Sequence, residues 1–330
     1  MLILSEFDIQ FRLPGPTAIV ALLHLHPSLE SRLRSGNELL VQHLPTPISG
    51  QSVIDKSGKS SVPSVDYIDS FGNRCARFVV PAGHLWLSGV SVIDANPNPD
   101  QIYGYALQTQ IEDLPSEVLQ FLLPSRYCEV DKFGAIAQDL FGSITPGWTR
   151  AVAIRDWVHE KVAFNYNAAR PTKTAMNVFT ERIGVCRDFQ HLAVTLSRCL
   201  NIPARYVTGY IGDIRIPYSG PGDFSAWYQV FLDGHWIDLD ARHNYPRRGR
   251  LLMAVGRDAA DVAITTSFGA ADLLHYYVDS SEIASGGERI PLPAAIEQVS
   301  NSGPIVSDVN IPTQTNGSEA SPTQTQPATS

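Results

Sequence analysis

The chain has 330 residues, enough for two domains and a tail, and its 44% hydrophobic and 18% charged residues are ordinary for a globular protein. A net charge of −8 argues against a nucleic-acid partner, because phosphate binding needs a basic patch. No apolar run approaches the ~20 residues that span a bilayer, so no membrane partner is expected. The opening MLILSEFDIQF has no basic lead and acquires charge at once, unlike a secretion signal. Four cysteines (Cys75, Cys128, Cys186, Cys199) lack metal-type spacing, which together with the missing signal predicts reduced thiols in the cytoplasm. No cofactor is expected.

In chain order, FDIQFRL alternates apolar and polar positions as a half-buried strand should. ELLVQHL, CARFVV, LWLSGVSVI and YGYALQ offer further strands, with DSFGNR as a hairpin turn between two of them. Strands without a long helical pattern predict a β-sandwich-like N-terminal domain over residues 1–110. His24, His26, His43 and His84 fall here without ligand spacing. Residues 111–147 read as a helical linker. EDLPSEVLQFLLP holds a short helix capped by Ser116, Asp131–Phe141 a second, and SITPGW breaks it. Cys128 in its tyrosine-flanked bend reads as packing.

Residues 148–292 form the second domain. Trp148–Phe164 is amphipathic, with Ala151, Ile154, Val158 and Val162 at helical spacing. Residues 165–174 are a loop, and a short helix over 175–182 leads to Gly184. The next helix opens at Cys186 and sets Phe189, Leu192, Ala193, Leu196, Cys199 and Leu200 on one face, which makes Cys199 a core cysteine. At a helix N-terminus Cys186 meets unpaired N–H groups and the positive end of the dipole, and both favour the thiolate. A strand follows Pro203. FSAWYQVFL and HWIDLD then flank Asp233–Gly234, a pair preferred in two-residue hairpin turns. That register sets Leu232 opposite His235, Trp227 opposite Asp240 and Ser225 opposite Arg242, so 225, 227, 240 and 242 share a face. The tail, 293–330, is rich in Ser, Thr, Pro, Gln and Asn and reads as disordered.

GVCRDFQHLAVTLSRCLNIPARYVTGY, then FSAWYQVFLDGHWIDLDA, resembles the transglutaminase-like cysteine-enzyme superfamily of bacteria. GRDAADVAITTSFG resembles a subgroup carrying a β-rich N-terminal domain. The resemblance implies an α+β fold: a transglutaminase-like, papain-like core in which a Cys-bearing helix packs on an antiparallel sheet, preceded by the β-sandwich-like domain. By position it makes Cys186 the nucleophile and Asp240 the orienting acid, while the usual histidine position holds Ser225. A serine hydroxyl cannot hold the thiol proton near neutral pH as imidazole does.

Three other histidines come into question as the base. His191 lies about 140° around the helix from Cys186. His235 sits at the far end of the hairpin. His243, just past Asp240, is the surrogate base, although ideal strand alternation turns it to the opposite face and a bulge would be needed to bring it in. Arg242 and Trp227, on the Asp240 face, are the candidate substrate-binding residues. Arg242 is also placed to salt-bridge Asp240 or to keep Cys186 ionised. The run PRRGR, residues 246–250, reads as a solvated loop or as a carboxylate or phosphate clamp.

The implied activity is a cysteine hydrolase or acyltransferase acting on amide bonds of a peptide or protein through a Cys186 thioester. With Ser225 in place, the alternative is a catalytically silent binding or scaffold module. A metal-dependent hydrolase built on Asp240, His243 and Cys186 has no supporting spacing motif. Association with a second copy stays open, since β-rich domains often pair.

Overall fold

The computed structural model describes residues 1–45 and 59–294. Burial alternates residue by residue along most of β1 (Leu2–Leu13) and along β2 (Thr17–Ala21), the signature of strands with one face in a core. There follow β3 (Leu33–Gly36), β4 (Leu40–Pro45), β5 (Ser60–Ser61), β6 (Val65–Ile68), β7 (Arg74–Val80) and β8 (Gly83–Asp94). β8 pairs antiparallel with β1 and β4 in one sheet, and β7 pairs with β2 and β6 in another. Ile3, Phe7 and Ile9 of the first sheet share an apolar core with Ile19, Ala21 and Phe78 of the second, a β-sandwich-like arrangement. DSFGNR makes the β6–β7 turn, where Asp69 Oδ1 accepts the Phe71 and Asn73 N–H groups, both at 2.8 Å.

Two local expectations fail. Tyr103–Gln108 is a loop rather than a strand, because its backbone serves the next helix: Ala106 C=O accepts the Trp148 N–H at 2.9 Å. The Ser116-capped helix is replaced by two 3₁₀ turns, Ile111–Asp113 and Leu119–Leu122, neither with a side-chain cap bond. Pro115 and Pro124 bracket a stretch too short for an α-helix.

The second half contains α1 (Val130–Phe141), α2 (Trp148–Lys161), β9 (Ala163–Phe164), α3 (Ala175–Glu181), β10 (Ile183–Gly184) and α4 (Cys186–Cys199). Then come β11 (Ala204–Ile211), β12 (Phe224–Leu232), β13 (His235–Leu239) and β14 (Arg250–Gly256), an antiparallel sheet in the order β13-β12-β11-β14. Asp233 and Gly234 both take positive φ, 50° and 77°, and the turn sets Leu232 opposite His235. α4 lies between this sheet and α1–α3, and is buried all round from Asp188 to Arg198 rather than on one face. Its polar side chains are satisfied inside: Thr195 donates to His191 C=O, Ser197 to Ala193 C=O, and Arg198 to the carbonyls of Ala204 and Arg257.

Finally β15 (Thr265–Ser267) pairs with β2, and β16 (Asp272–Ile283) pairs with β1. Both sandwich sheets are thus completed by strands from the stretch read as the second domain. Apart from residues 293–294, the expected disordered tail lies outside the described residues. Among the described residues, no helix is long and apolar enough to cross a membrane.

Candidate active site

The start of α4 is built by Gly184, Cys186 and Asp188. Asp188 Oδ2 accepts the Val185 N–H at 3.0 Å, closing the first turn with a fully buried carboxylate that Arg187 neutralises at 3.1 Å. A Cβ on Gly184 would lie 2.6 Å from Asp188 Cβ, so only glycine fits there. Cys186 is therefore presented as the first residue of the helix.

The backbone N–H groups of Arg187 and Ala226 act on its sulfur and favour the thiolate. Ala226 has these groups to spare because β13 stops opposite Tyr228, leaving the outer edge of β12 unpaired beyond it. On the same edge Ala226 C=O accepts Gln190 Nε2 at 3.2 Å. Cys186 is half-buried as a residue, and it packs against an apolar cluster that includes Leu22, Tyr206, Ala226 and Val262. Burial pushes the thiol up to about 11, the Asp223 carboxylate adds to this, and the Arg242 guanidinium pulls the other way. The expected thiolate preference of the helix start is outweighed.

β13 ends at Leu239, and the chain enters a tight turn in which Asn244 N–H returns to Asp240 C=O at 3.0 Å. Asn244 closes it with a left-handed φ of 57°. The turn places His243 Nδ1 2.9 Å from Asp240 Oδ2. His243 thus meets Asp240 without a bulge, because strand alternation has already ended. Asp240 Oδ1 accepts the N–H groups of Arg242 (2.9 Å) and His243 (3.1 Å) and Gln190 Nε2 (3.1 Å). Gln190 Oε1 in turn accepts the Ala241 N–H at 3.2 Å. One glutamine on α4, four residues after Cys186, so ties the nucleophile's helix to both Ala226 and the Asp240 turn. Burial alone would raise the Asp240 carboxyl, but the His243 hydrogen bond and the Arg250 charge hold it well below the usual carboxylate range.

Ser225, Asp223, Arg242 and His243 line one cavity of about 660 Å³. Cys186 sits off this lining, packed against the cluster that holds Ala226, the neighbour of Ser225. Other expectations are corrected. Arg242 does not salt-bridge Asp240; its guanidinium lies over the Phe164 ring, 4.0 Å from the centroid. The ion partner of Asp240 is Arg250, at 3.5 Å, whose Nε also binds Asp100 at 2.8 Å. Trp227, expected to contact substrate, is 1% exposed and donates its Nε1–H to Asp238 at 2.6 Å, so it is core. In the run 246–250, read as a solvated loop or a clamp, the arginines are held by the protein itself. Arg247 is buried against Gly212 C=O and Asp213, Arg250 is buried beneath the site, and Arg248 Nε–H donates to Pro97 C=O. His191 is wholly buried; its Nε2 accepts the Ala259 N–H, and burial lowers its pKa well below that of a free imidazole. Among the described residues, no group of three His, Cys, Asp or Glu is placed to hold a metal ion.

Residues 134–241 match the family model of the transglutaminase-like superfamily. A crystal structure of a candidate cysteine protease from Cytophaga hutchinsonii superposes with a TM-score of 0.72 at 28% identity, over 89% of this chain and 94% of that one. Residues 134–241 are a transglutaminase-like core. Relatives include an uncharacterised protein of Mycobacterium leprae, 29% identical over 229 residues, 64% of this chain and 79% of that protein. Another, from Mycobacterium tuberculosis, is 28% identical over 216 residues, 59% and 68% of the two chains.

Around this transglutaminase-like core, sequence reasoning passed over Gln190, Asp223 and Tyr276. Gln190 stood inside the GVCRDFQHL segment, where its position one helical turn after Cys186 was a usable signal. Tyr276 carried none, since it reaches the site from β16, a strand of the sandwich, where its hydroxyl donates to Asp223 Oδ1 at 2.5 Å.

Proposed function

We propose that this protein is a cysteine hydrolase or acyltransferase acting on amide bonds of peptides or proteins, with Cys186 as nucleophile and His243–Asp240 as its imidazole–carboxylate pair. The observation that carries this reading is the 2.9 Å contact between His243 Nδ1 and Asp240 Oδ2, on a turn bonded through Gln190 to the edge strand beside the sulfur. The imidazole absent at position 225 enters from position 243 instead. The superfamily match over residues 134–241 and the likeness to the Cytophaga hutchinsonii chain support the same general chemistry.

With Nδ1–H donated to Asp240, Nε2 is the basic nitrogen of His243. The Cys186 sulfur attacks the amide carbon while the thiol proton passes to His243. A C–S bond forms, and the N–H groups at the start of α4 stand nearest the developing oxyanion. The imidazolium returns the proton to the leaving nitrogen as the C–N bond breaks. Water, or an amine in the transfer reaction, then attacks the thioester, giving its proton through His243 to the sulfur. Because burial keeps the resting thiol neutral, base assistance accompanies attack, a contribution of typically 10²–10⁴-fold.

The test uses the carboxylate's limited capacity. Asp240 Oδ2 is filled by His243 and Oδ1 by three N–H donors, so Ser225→His in the parent protein gains nothing. His243→Ala costs about 10²–10⁴-fold in acylation by an activated ester. Adding Ser225→His to His243→Ala restores part of that loss, because Oδ2, then held by Arg250 at 3.5 Å, can orient the new imidazole. Full activity in His243→Ala removes His243 from the mechanism. The raised thiol favours one rival reading, a silent binding module; no Cys186 thioester by mass spectrometry in the parent protein would establish it over the enzyme.

A further inference from the structure

The charged side chains that line the cavity divide into two sets. Asp213 is paired with Arg247, Asp279 with Arg289, and His243 with Asp240. Asp223 and Arg242 are the exceptions: among the described residues neither forms an ion pair, with the other or with any third group. Both are half-buried, and both act electrostatically on the Cys186 sulfur. Each is held in place by an uncharged neighbour. Tyr276 pins Asp223 through its hydroxyl, and Phe164 carries the Arg242 guanidinium on its ring face. Leaving two opposite charges partly desolvated without an ion pair is costly.

We propose that Asp223 and Arg242 are a dipolar recognition pair, and that the substrate is a short zwitterionic peptide whose scissile amide lies between an ammonium group read by Asp223 and a carboxylate read by Arg242. This rests on the reading of Cys186 as nucleophile and names the substrate class for that site. In a dipeptide the carbonyl carbon is two bonds from the α-ammonium nitrogen, and the carboxylate follows on the amine side. A group attacked by Cys186 then has its two charged ends within reach of the two unpaired residues. The guanidinium fork suits a terminal carboxylate. An internal stretch of protein chain offers neither end, and would leave both charges as they are. Tyr276 is a positioning residue here, delivered by the sandwich strand β16.

The test is binding, so that it does not depend on turnover. Cys186→Ala protein is titrated calorimetrically with alanyl-alanine, its N-acetyl form and its C-terminal amide. The free dipeptide binds tightest, and each cap weakens binding by about 10-fold or more, the loss of one charge-assisted contact. Asp223→Asn removes the penalty for the acetyl cap only, and Arg242→Met the penalty for the amide only. Tyr276→Phe keeps the carboxylate but loosens it, and shrinks the acetyl penalty. Equal binding of free and capped peptides, no binding of the free dipeptide, or discrimination that survives both substitutions would each overturn the proposal. Discriminating binding without thioester formation in the parent protein leaves this recognition standing and sinks the catalytic reading. Hydrolysis that ignores both caps does the reverse.

Discussion

Cys186 is expected to react as an enclosed neutral thiol, not as a standing thiolate. Burial moves it from the 9.0 of a thiol in water to about 11. At about pH 7.5 a thiol at 11 is ionised to roughly 0.03%, against roughly 3% for one at 9, a ratio of about 100 or ~2.7 kcal/mol. Alkylation by iodoacetamide between about pH 6 and about pH 10 reads this directly, since only the thiolate reacts. Cys75, Cys128 and Cys199 are also pushed up to about 11, so peptide mapping and a Cys186→Ser control assign the site. The rate at Cys186 climbs about tenfold per pH unit across this range, as expected below the pKa. Arg242→Met, which removes the cation that pulls the thiol down, slows labelling at each pH. A plateau below about pH 8 would refute the reasoning, because it would mean a preformed thiolate–imidazolium pair that burial does not permit here.

Two further outcomes concern what lies beneath the site. Arg250→Leu strips the buried cation from between Asp100 and Asp240 and leaves the buried Asp240 and the half-buried Asp100 without it; it destabilises the fold by about 3–5 kcal/mol, read as a lowered urea midpoint. Asp240→Asn tests the acid limb. The folded carboxyl lies below its unfolded value, so its stabilisation is complete above about pH 4 and is withdrawn as pH falls further. The gap in urea midpoint between parent and Asp240→Asn therefore narrows from pH 7 to about pH 3, and a constant gap would show that Asp240 carries no such linkage.

What the sequence revealed, and what it hid, follow from the range of the forces involved. The Asp233–Gly234 turn is local chemistry, and it set the β12–β13 register correctly from two residues. Cys186 at a helix start was legible because Gly184 and the 3.6-residue apolar rhythm are local as well. The error at His243 came from carrying strand alternation past Leu239, where the strand has already ended; the left-handed Asn244 was the available hint. Arg247 and Arg250 were read as surface because a run of arginines usually is. Their partners, Asp213 and Asp100, lie 34 and 150 residues away, beyond any local pattern. Asp223 and Tyr276, 53 residues apart, were invisible for the same reason.

Position 225 shows why a motif position and a chemical role must be argued separately. Strand pairing dictates that residue 225 lies at the start of β12, opposite Gly209 of β11, and nothing more; what makes an imidazole a base there is an acceptor for its other nitrogen. Asp240 is that acceptor, and it stands at the first residue after β13, where a turn can deliver a side chain from three residues further on as readily as the neighbouring strand can. Once His243 occupies Oδ2, a histidine at 225 would be an unoriented imidazole beside a carboxylate with no remaining site for it. This Asp240 turn therefore needs no histidine at 225, and the question for catalysis shifts from the missing side chain to the reach of His243 Nε2.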